Sequence, residues 1–306
     1  MTHQLKIVQT FLACLFFLST QEPLLSSEVS EEVWPPQTVR WTLKDGKELI
    51  FVATHHTDNI ISPIHGLIKA IVEKEKPDIY VMEGFSSDED GISPERLSIK
   101  AKKLCEDQGK CGENLYTALL ATQKSIPFIG ADLTEDKQLE PLLQKGFSFD
   151  DIVFFMLVQH LPYFFRDGYF ETHTIKFIQQ NREAMCNDFL QTIIASWIKC
   201  DVKLTYQDFL EWWEKHFKAP LDMDREFSDW WTGNNYAQPH KSKDALYTQQ
   251  IAYWFNKNRD DHLMKVIQDN VSKHKRTLVV YGSNHLRDLW NRLIKAYGPP
   301  NFTRTY

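Results

Sequence analysis

The sequence lacks the short motifs that mark the most familiar enzyme classes. It contains no GxSxG elbow, no HExxH helix, no P-loop and no GxGxxG turn in a β-α-β context. Serine-hydrolase, standard zincin and nucleotide-binding interpretations are therefore disfavoured. No two cysteines have the CxxC spacing of a structural zinc site. Any chemistry must come from residues that are distant from one another in the sequence.

An excess of positive charge is also missing. The formal net charge is -6 and the pI is near 6.0, so the chain has no basic footprint and nucleic acid is excluded as its main partner. A small-molecule or peptide substrate remains as the partner, and the oligomeric state is left open. With 42% hydrophobic and 25% charged residues, the composition is that of a globular protein, which excludes disorder and a multi-span membrane protein.

No hydrophobic run is long enough to span a membrane. Lys6 precedes the apolar run Ile7–Thr20, which is shorter than the roughly 20 residues that a spanning helix needs. We therefore predict a signal peptide over residues 1–26, a linker over 27–37 and a folded domain over 38–306. The protein is then exported, either periplasmic or secreted, and an uncleaved membrane anchor at this N-terminal segment is the alternative.

Cysteines are few, and their number fits export. Cleavage of the signal peptide removes Cys14 and leaves four of the five cysteines. An even count in an exported chain suits disulfides. Cys105 and Cys111 flank a short polar loop, and Cys186 and Cys200 could bridge a helical hairpin. We predict that at least one of these two pairs is oxidised. Four buried thiols are the alternative.

Alternating strand and helix patterns predict an α/β fold. The turn Asp45-Gly46 lies inside the β-rich segment Thr38–Thr54 and predicts an antiparallel hairpin. The predicted helix Ser62–Lys74 and the strand DIYVM then complete a β-α-β unit. From about 147 to 257 we find helical periodicity only, before the strand TLVVY restores the alternation. We expect a mostly parallel sheet flanked by helices, with an N-terminal β-hairpin and a large helical insertion.

The insertion contains two pairs of tryptophans. These are Trp212-Trp213 and Trp230-Trp231. Packing between helices is one interpretation, and an aromatic cover over a bound ligand is the other. The sequence leaves both open.

Four of the apolar strand runs end in a polar side chain. ELIFVAT leads into His56, DIYVM into Glu83, IPFIGA into Asp132 and TLVVYGSN into His285. Because ligands bind outside the carboxyl ends of parallel strands, we expect His56, Glu83 and His285 to share one pocket with Asp132 at its margin. Each residue taken alone is also consistent with a structural role.

Two imidazoles and one carboxylate support two kinds of chemistry. They can bind a divalent metal ion with an open coordination position, which lowers the pKa of a bound water. Without a metal, one histidine paired with Glu83 can act as a general base toward water. Both mechanisms remain open at this point.

Short motifs around these residues resemble a known superfamily. Ala53-Thr54-His55-His56 resembles the GxxH motif that opens Tiki/TraB domains, with alanine in place of the glycine, and Gly282-Ser283-Asn284-His285-Leu286 resembles their closing GxxHL motif. VMEGF places Glu83 where that superfamily carries its glutamate. The segment around Arg259 is similar to the arginine-containing helix before the closing strand. The central insertion resembles nothing in that superfamily.

Two further families share this pattern. The segment His56-Thr57-Asp58, followed by His65, resembles ChaN-like haem-binding uptake proteins, and erythromycin esterases share the His, Glu, His skeleton. The resemblance implies a site of His56, Glu83 and His285, with Arg259 as an anion or carbonyl contact. It also implies that His65, on the first helix, and Asp132 contact the substrate. A surface ion pair for Arg259 and a structural position for His65 are the alternatives.

The resemblance implies three candidate functions. The first is a hydrolase that cleaves a peptide or ester bond with water activated at the His/Glu/His site, with or without a divalent metal ion. The second is a ChaN-like haem- or iron-binding uptake protein without turnover. The third is a catalytically inactive interaction domain.

Overall fold

The two β-rich runs around Asp45-Gly46 form the hairpin that opens the fold in the computed structural model. Strand β1 (Gln37–Thr42) pairs antiparallel with β2 (Glu48–Thr54). Gly46 has a φ of 77°, a left-handed conformation that glycine adopts without steric cost. The predicted hairpin is confirmed, although β1 begins at the last residue of the predicted linker.

The structure describes residues 35–57, 61–87, 93–109, 111–166, 175–198, 200–227, 235–242 and 244–306. The predicted signal peptide therefore lies outside the described residues, as does nearly all of the predicted linker. Within the described ranges, no helix is both long and apolar enough to cross a membrane.

Strands and helices alternate on both sides of a helical segment. In chain order the elements after the hairpin are α1 (Pro63–Glu75), β3 (Ile79–Met82), α2 (Pro94–Lys102), a π-helical turn (Lys103–Asp107), α3 (Glu113–Lys124), β4 (Phe128–Gly130), α4 (Glu135–Gln144), α5 (Phe149–Arg166), α6 (Ile175–Asp188), a second π-helical turn (Phe189–Ile194), α7 (Ala195–Ile198), α8 (Tyr206–Phe217), α9 (Met223–Glu226), α10 (Tyr247–Lys273), β5 (Arg276–Gly282), α11 (Ser283–Tyr297) and β6 (Phe302–Thr305).

The chain divides into two units. The first consists of residues up to 134 together with 260–306, and the second consists of residues 135–259. The boundary falls inside α10. The helical insertion expected over about 147–257 lies within the second unit.

The described strands of the first unit form one six-stranded sheet with the order β4-β3-β5-β2-β1-β6. Strands β4, β3, β5 and β2 are parallel, whereas β1 and β6 are antiparallel to their neighbours. In the register of the parallel strands, Thr54 lies opposite Gly282 and Met82 opposite Val280. The predicted fold class, a mostly parallel sheet flanked by helices, is confirmed.

Both faces of the sheet are buried, which is why its central strands are almost continuously apolar. Alternate residues along each strand point to opposite faces. One face packs against α1, α2 and α3 through Ile50, Val52, Tyr80, Met82, Leu278 and Val280. The other face packs against α11 and the C-terminal part of α10 through Leu49, Phe51, Ala53, Val81, Val279 and Tyr281. The rigid sheet between these layers fixes where each strand ends.

The described part of the second unit is helical, and aromatic packing fills its interior. The Trp213 ring stacks on Phe217 with a centroid separation of 4.0 Å, and Trp212 Nε1 donates a hydrogen bond to Asp151 Oδ1 at 2.8 Å. Trp212 and Trp213 are buried, so this pair packs between helices. The pair at 230–231 lies outside the described residues.

The cysteines divide into one bridged pair and two thiols. The predicted Cys105–Cys111 disulfide is present. This confirms that at least one of the two pairs is oxidised, whereas Cys186, which is buried, and Cys200, which is exposed, are free thiols. Burial raises the pKa of the Cys186 thiol to about 12, which makes it a poor nucleophile.

This division predicts a labelling pattern. In protein folded under oxidising conditions, we expect Cys200 to be alkylated in the native state and Cys186 only after unfolding. Cys105 and Cys111 should stay unlabelled until a reductant is added. Stepwise alkylation followed by peptide mass mapping measures this, and labelling of Cys105 or Cys111 without reductant would contradict the disulfide.

Candidate functional site

Four parallel strands bring the predicted site residues to one edge of the sheet. Glu83 follows β3 directly, Asp132 lies two residues after β4, and His56 lies two residues after β2. His285 is in the first turn of α11, which begins as soon as β5 ends. The strand order is β4-β3-β5-β2, so these residues approach one another from four neighbouring strands.

The Glu83 carboxylate lies between the two histidines. Its Oε1 atom is 3.7 Å from His56 Nε2 and 3.5 Å from His285 Nε2. The three side chains are largely buried, with 8% of Glu83, 19% of His56 and 12% of His285 exposed. The sequence predicted this convergence, and the structure brings the three residues together.

Each imidazole is held from behind by a second carboxylate. His56 Nδ1 donates a hydrogen bond to Glu113 Oε1, and His285 Nδ1 donates one to Asp260 Oδ1 at 2.6 Å. Both rings therefore present the same edge, Nε2, to Glu83. A carboxylate on Nδ1 fixes the orientation of a histidine and directs Nε2 toward the site.

Glu113 is fixed at the beginning of α3. It is the first residue of that helix, where the positive end of the helix dipole favours a negative charge. Its Oε2 atom accepts a hydrogen bond from the backbone N–H of Thr57 at 3.2 Å. One carboxylate thus holds both the His56 ring and the backbone that follows it.

Glu83 is held by the beginning of α11. The N–H of Gly282, the residue that caps this helix, donates a hydrogen bond to Glu83 Oε2 at 2.7 Å. This bond leaves Oε1 directed at the imidazoles of His56 and His285. The Glu83 carboxylate is therefore oriented by the backbone at the end of β5, the strand that lies between β3 and β2.

Gly282 leaves space at the centre of the site. Its φ of -56° and ψ of 143° are values that any residue adopts. A Cβ atom on Gly282 would lie 3.2 Å from Glu83 Oε2 and 3.4 Å from His56 Nε2. A side chain at this position would therefore press on the donor atoms of the site, whereas the backbone itself would accept it.

Asp132 contacts the neighbours of Glu83 and His285. It accepts hydrogen bonds from the N–H of Gly84 at 2.7 Å and from the Tyr281 hydroxyl. The Tyr281 ring meets the ring of His285 edge to face, with a centroid separation of 5.0 Å. Asp132 therefore supports the neighbours of Glu83 and His285, which agrees with its predicted place at the margin.

The charges of the cluster are strongly coupled. Burial lowers the pKa of His56, but the charges of Glu113 and Glu83 outweigh it and raise that pKa to about 9. Burial likewise lowers the pKa of His285, and Asp260 and Glu83 raise it to about 10. Three carboxylates and two imidazolium groups then give a local charge of -3 + 2 = -1.

The two remaining predicted site residues are His65 and Arg259. His65 is buried in α1, where its ring packs on Tyr116 with a centroid separation of 4.5 Å. Arg259 is on α10, immediately before Asp260, and the residue of that helix that contacts His285 is Asp260. Neighbouring residues on a helix point about 100° apart. The substrate role of His65 and the anion contact of Arg259 stay predictions.

Sequence reasoning missed Glu113 and Asp260. Glu113 begins a helix and does not follow a strand, so the strand-end pattern that grouped the other residues could not indicate it. Asp260 adjoins the arginine that attracted attention, and nothing in the sequence indicates which of the two faces the sheet.

A metal-binding arrangement is not present as the side chains stand. Across the described ranges, no group of three or more His, Cys, Asp and Glu side chains is placed so that it could hold a metal ion. The donor atoms of His56, Glu83 and His285 are instead paired with one another.

The coupled histidines predict a pH dependence of the metal-free protein. A folded-state pKa of about 9 for His56 and about 10 for His285, against an ordinary 6.5, means that their stabilisation is complete below pH 6.5. It is lost as the pH rises through the folded-state values. Denaturant unfolding with a chelator at pH 6, 8 and 10 measures the decline.

The control for this measurement is a double variant. His56→Gln/His285→Gln removes both titrating rings and should flatten the profile over the same range. Equal declines in the wild type and the double variant would show that other groups cause the alkaline destabilisation.

Comparison with known proteins identifies no family. A scan against models of protein families found no match, and a search of curated proteins found no matching protein. The function is therefore inferred from the site itself.

Proposed function

We propose that the chain is an exported hydrolase of the Tiki/TraB and erythromycin-esterase kind, which cleaves a peptide or ester bond with water activated at His56, Glu83 and His285. We also propose that this site takes a divalent metal ion. One observation carries the proposal. Both histidines have Nδ1 held by a carboxylate while both Nε2 atoms face the same oxygen of Glu83.

The pattern of donors supports a metal ligand set. A carboxylate behind each imidazole is the usual support of a metal-binding histidine, because it fixes the tautomer and raises the basicity of Nε2. The Nε2–Oε1 separations of 3.5 and 3.7 Å exceed the roughly 3.4 Å between two ligands that are each about 2.1 Å from a tetrahedral zinc ion, so the side chains would have to move slightly together to hold an ion. His56, Glu83 and His285 would hold the ion.

Charge supports the same conclusion. In the metal-free cluster, the positive charges of the two protonated imidazoles offset two of the three negative carboxylate charges. A divalent cation carries the same charge as those two protons, so their exchange leaves the local charge at -3 + 2 = -1. Metal binding to histidine requires the neutral ring and releases its proton. Binding should therefore strengthen with rising pH, and about two protons should leave for each ion at pH 7.

The residues of the chain then have distinct roles. His56, Glu83 and His285 would hold the divalent ion, whose chemistry would be to lower the pKa of a water molecule toward neutral pH. Glu113 and Asp260 keep the Nδ1 protons of the two histidines and so hold both Nε2 atoms in place. The amide of Gly282 fixes Glu83 Oε2. The missing side chain of Gly282 leaves room for the water or for the carbonyl group of a substrate.

Without a metal ion, general-base catalysis is weak in this environment. A histidine whose pKa is about 9 or 10 carries its proton at pH 7, so only about 1% or less of it can act as a base. A divalent cation would have to displace this proton, so the raised pKa also weakens metal binding at pH 7 and makes it strengthen toward pH 9. The metal-dependent form is nevertheless favoured, because a bound ion would supply an activated water without needing a free imidazole.

The first test combines metal binding with turnover. We expect titration calorimetry with Zn²⁺, Mn²⁺ and Co²⁺ to show one ion per chain, and a panel of peptide and ester substrates to be hydrolysed only with metal. Glu83→Gln should reduce metal affinity at least about 100-fold and abolish turnover. It keeps an oxygen for the Gly282 amide, but it removes the negative charge that helps to keep both imidazoles protonated, so the metal-free variant should be less stable than the wild type at neutral pH while keeping its fold.

Two further variants complete this test. His285→Ala should also abolish turnover, and it should lower the free energy of unfolding by about 1–3 kcal/mol because buried Asp260 loses its partner. His274→Ala is the matched control, since His274 lies beyond the end of α10. It should retain both turnover and the free energy of unfolding of the wild type. Metal affinity and turnover that survive in both site variants would refute the proposal. A haem absorbance band on addition of haemin, with no turnover, would favour the uptake function instead.

The second test fills the space at Gly282. Gly282→Ala should preserve the fold, because its φ of -56° suits alanine, but its Cβ would enter the space between Glu83 and His56. We expect metal affinity to fall at least about tenfold. Gly66→Ala is the control, because a Cβ there has no atom within 4 Å. Unchanged metal affinity in the Gly282 variant would contradict the role assigned to this space.

A further inference from the structure

The disulfide and one carboxylate of the site occupy the same short segment. Cys111 forms the bridge to Cys105, Gly112 is the N-cap of α3, and Glu113 is its first residue. Only Gly112 separates the bridged residue from the residue that holds His56. Both cysteines are buried, with 2% of Cys105 and none of Cys111 exposed.

The beginning of α3 has no side chain to cap it. Gly112 provides no side-chain cap bond, and its carbonyl accepts the N–H of Tyr116 at 2.9 Å. A glycine cap restricts the backbone less than any other residue. The covalent bond to Cys105 is therefore the strongest restraint on the residue that precedes this cap.

The other end of the disulfide belongs to a well-packed helix. Cys105 lies in the π-helical turn that continues α2, and α2 packs against α3 on one face of the sheet. The two helices are also linked by a hydrogen bond between the hydroxyl groups of Thr122 and Ser98 at 2.8 Å. The bridge thus connects the beginning of α3 to a fixed point.

Glu113 transmits this restraint to the site. Its two oxygens hold different groups, with Oε1 on His56 Nδ1 and Oε2 on the Thr57 N–H. A displaced helix start would move both contacts together. The other histidine has no such link, because His285 is held by Asp260 on α10.

We propose that the Cys105–Cys111 disulfide is a positioning element of the site, which fixes the start of α3 so that Glu113 holds His56 in its metal-binding orientation. This inference rests on the proposed metal site for its effect on affinity, although the positioning of His56 itself does not require a metal. A ligand side chain held in advance does not have to be ordered on binding, so affinity is higher. Loss of the bridge should weaken the His56 half of the site and leave the His285 half intact.

The experiment is a double-mutant cycle. Zn²⁺ affinity is measured for the wild type, Cys105→Ala/Cys111→Ala, Glu113→Gln and the combined triple variant. We expect loss of the bridge to lower affinity about tenfold when Glu113 is present. In the Glu113→Gln background the same loss should change affinity less than about twofold, because the restraint no longer has a carboxylate to act through.

A second readout needs no metal. The Nδ1 protons of His56 and His285, which are hydrogen-bonded to carboxylates, give separate signals in the NMR spectrum of the metal-free protein. Without the bridge, the His56 signal should broaden or move upfield while the His285 signal stays in place. Should the double cysteine variant fail to fold, wild type reduced with a phosphine provides the same comparison.

The control is a variant that is destabilised elsewhere in the same unit. Leu293→Ala opens a cavity beneath α11, and it should lower the thermal midpoint without changing the His56 signal or the Zn²⁺ affinity. An equal affinity loss in both Glu113 backgrounds, or an unchanged His56 signal without the bridge, would overturn the proposal. If the wild type itself binds no Zn²⁺, the proposed function fails, and the NMR signals alone then decide whether the bridge positions His56.

Discussion

The pairing of β5 between β3 and β2 is the constraint on which the site depends. Strand β5, the last parallel strand in the sequence, lies between β3 and β2, which come much earlier in the sequence. Its end therefore separates Glu83 from His56 and supplies the amide that holds Glu83. Because both faces of the sheet are buried, a shift in register would expose whole rows of apolar residues. The arrangement of His56, Glu83 and His285 is therefore stabilised by the core itself.

The sequence contained enough information for the strand ends. Apolar runs such as ELIFVAT and TLVVY must be buried strands, and the helix patterns between them require parallel connections. Parallel strands have their carboxyl ends at one edge, so His56, Glu83 and His285 could be grouped before the structure was known. The hairpin could be predicted in the same way, from Asp45-Gly46 between two β-rich runs.

The supporting carboxylates could not be found in this way. Glu113 and Asp260 lie on helices, and their role depends on how each helix is rotated about its axis. Periodicity identifies the buried side of a helix only approximately. A rotation of the helix by one residue decides whether Arg259 or Asp260 faces His285. The sequence likewise left open which of the two cysteine pairs is bridged. An even number of cysteines does not show which of them face the core.

The ordinary backbone conformation of Gly282 separates the requirements of the fold from those of the site. A glycine with a left-handed backbone cannot be replaced without strain in the chain itself, whereas Gly282, with a φ of -56°, carries no such requirement. A side chain at this position would instead press on the oxygen of Glu83 and the imidazole of His56. A substitution here therefore perturbs the geometry of the cluster while the strand and helix on either side of it keep their conformation.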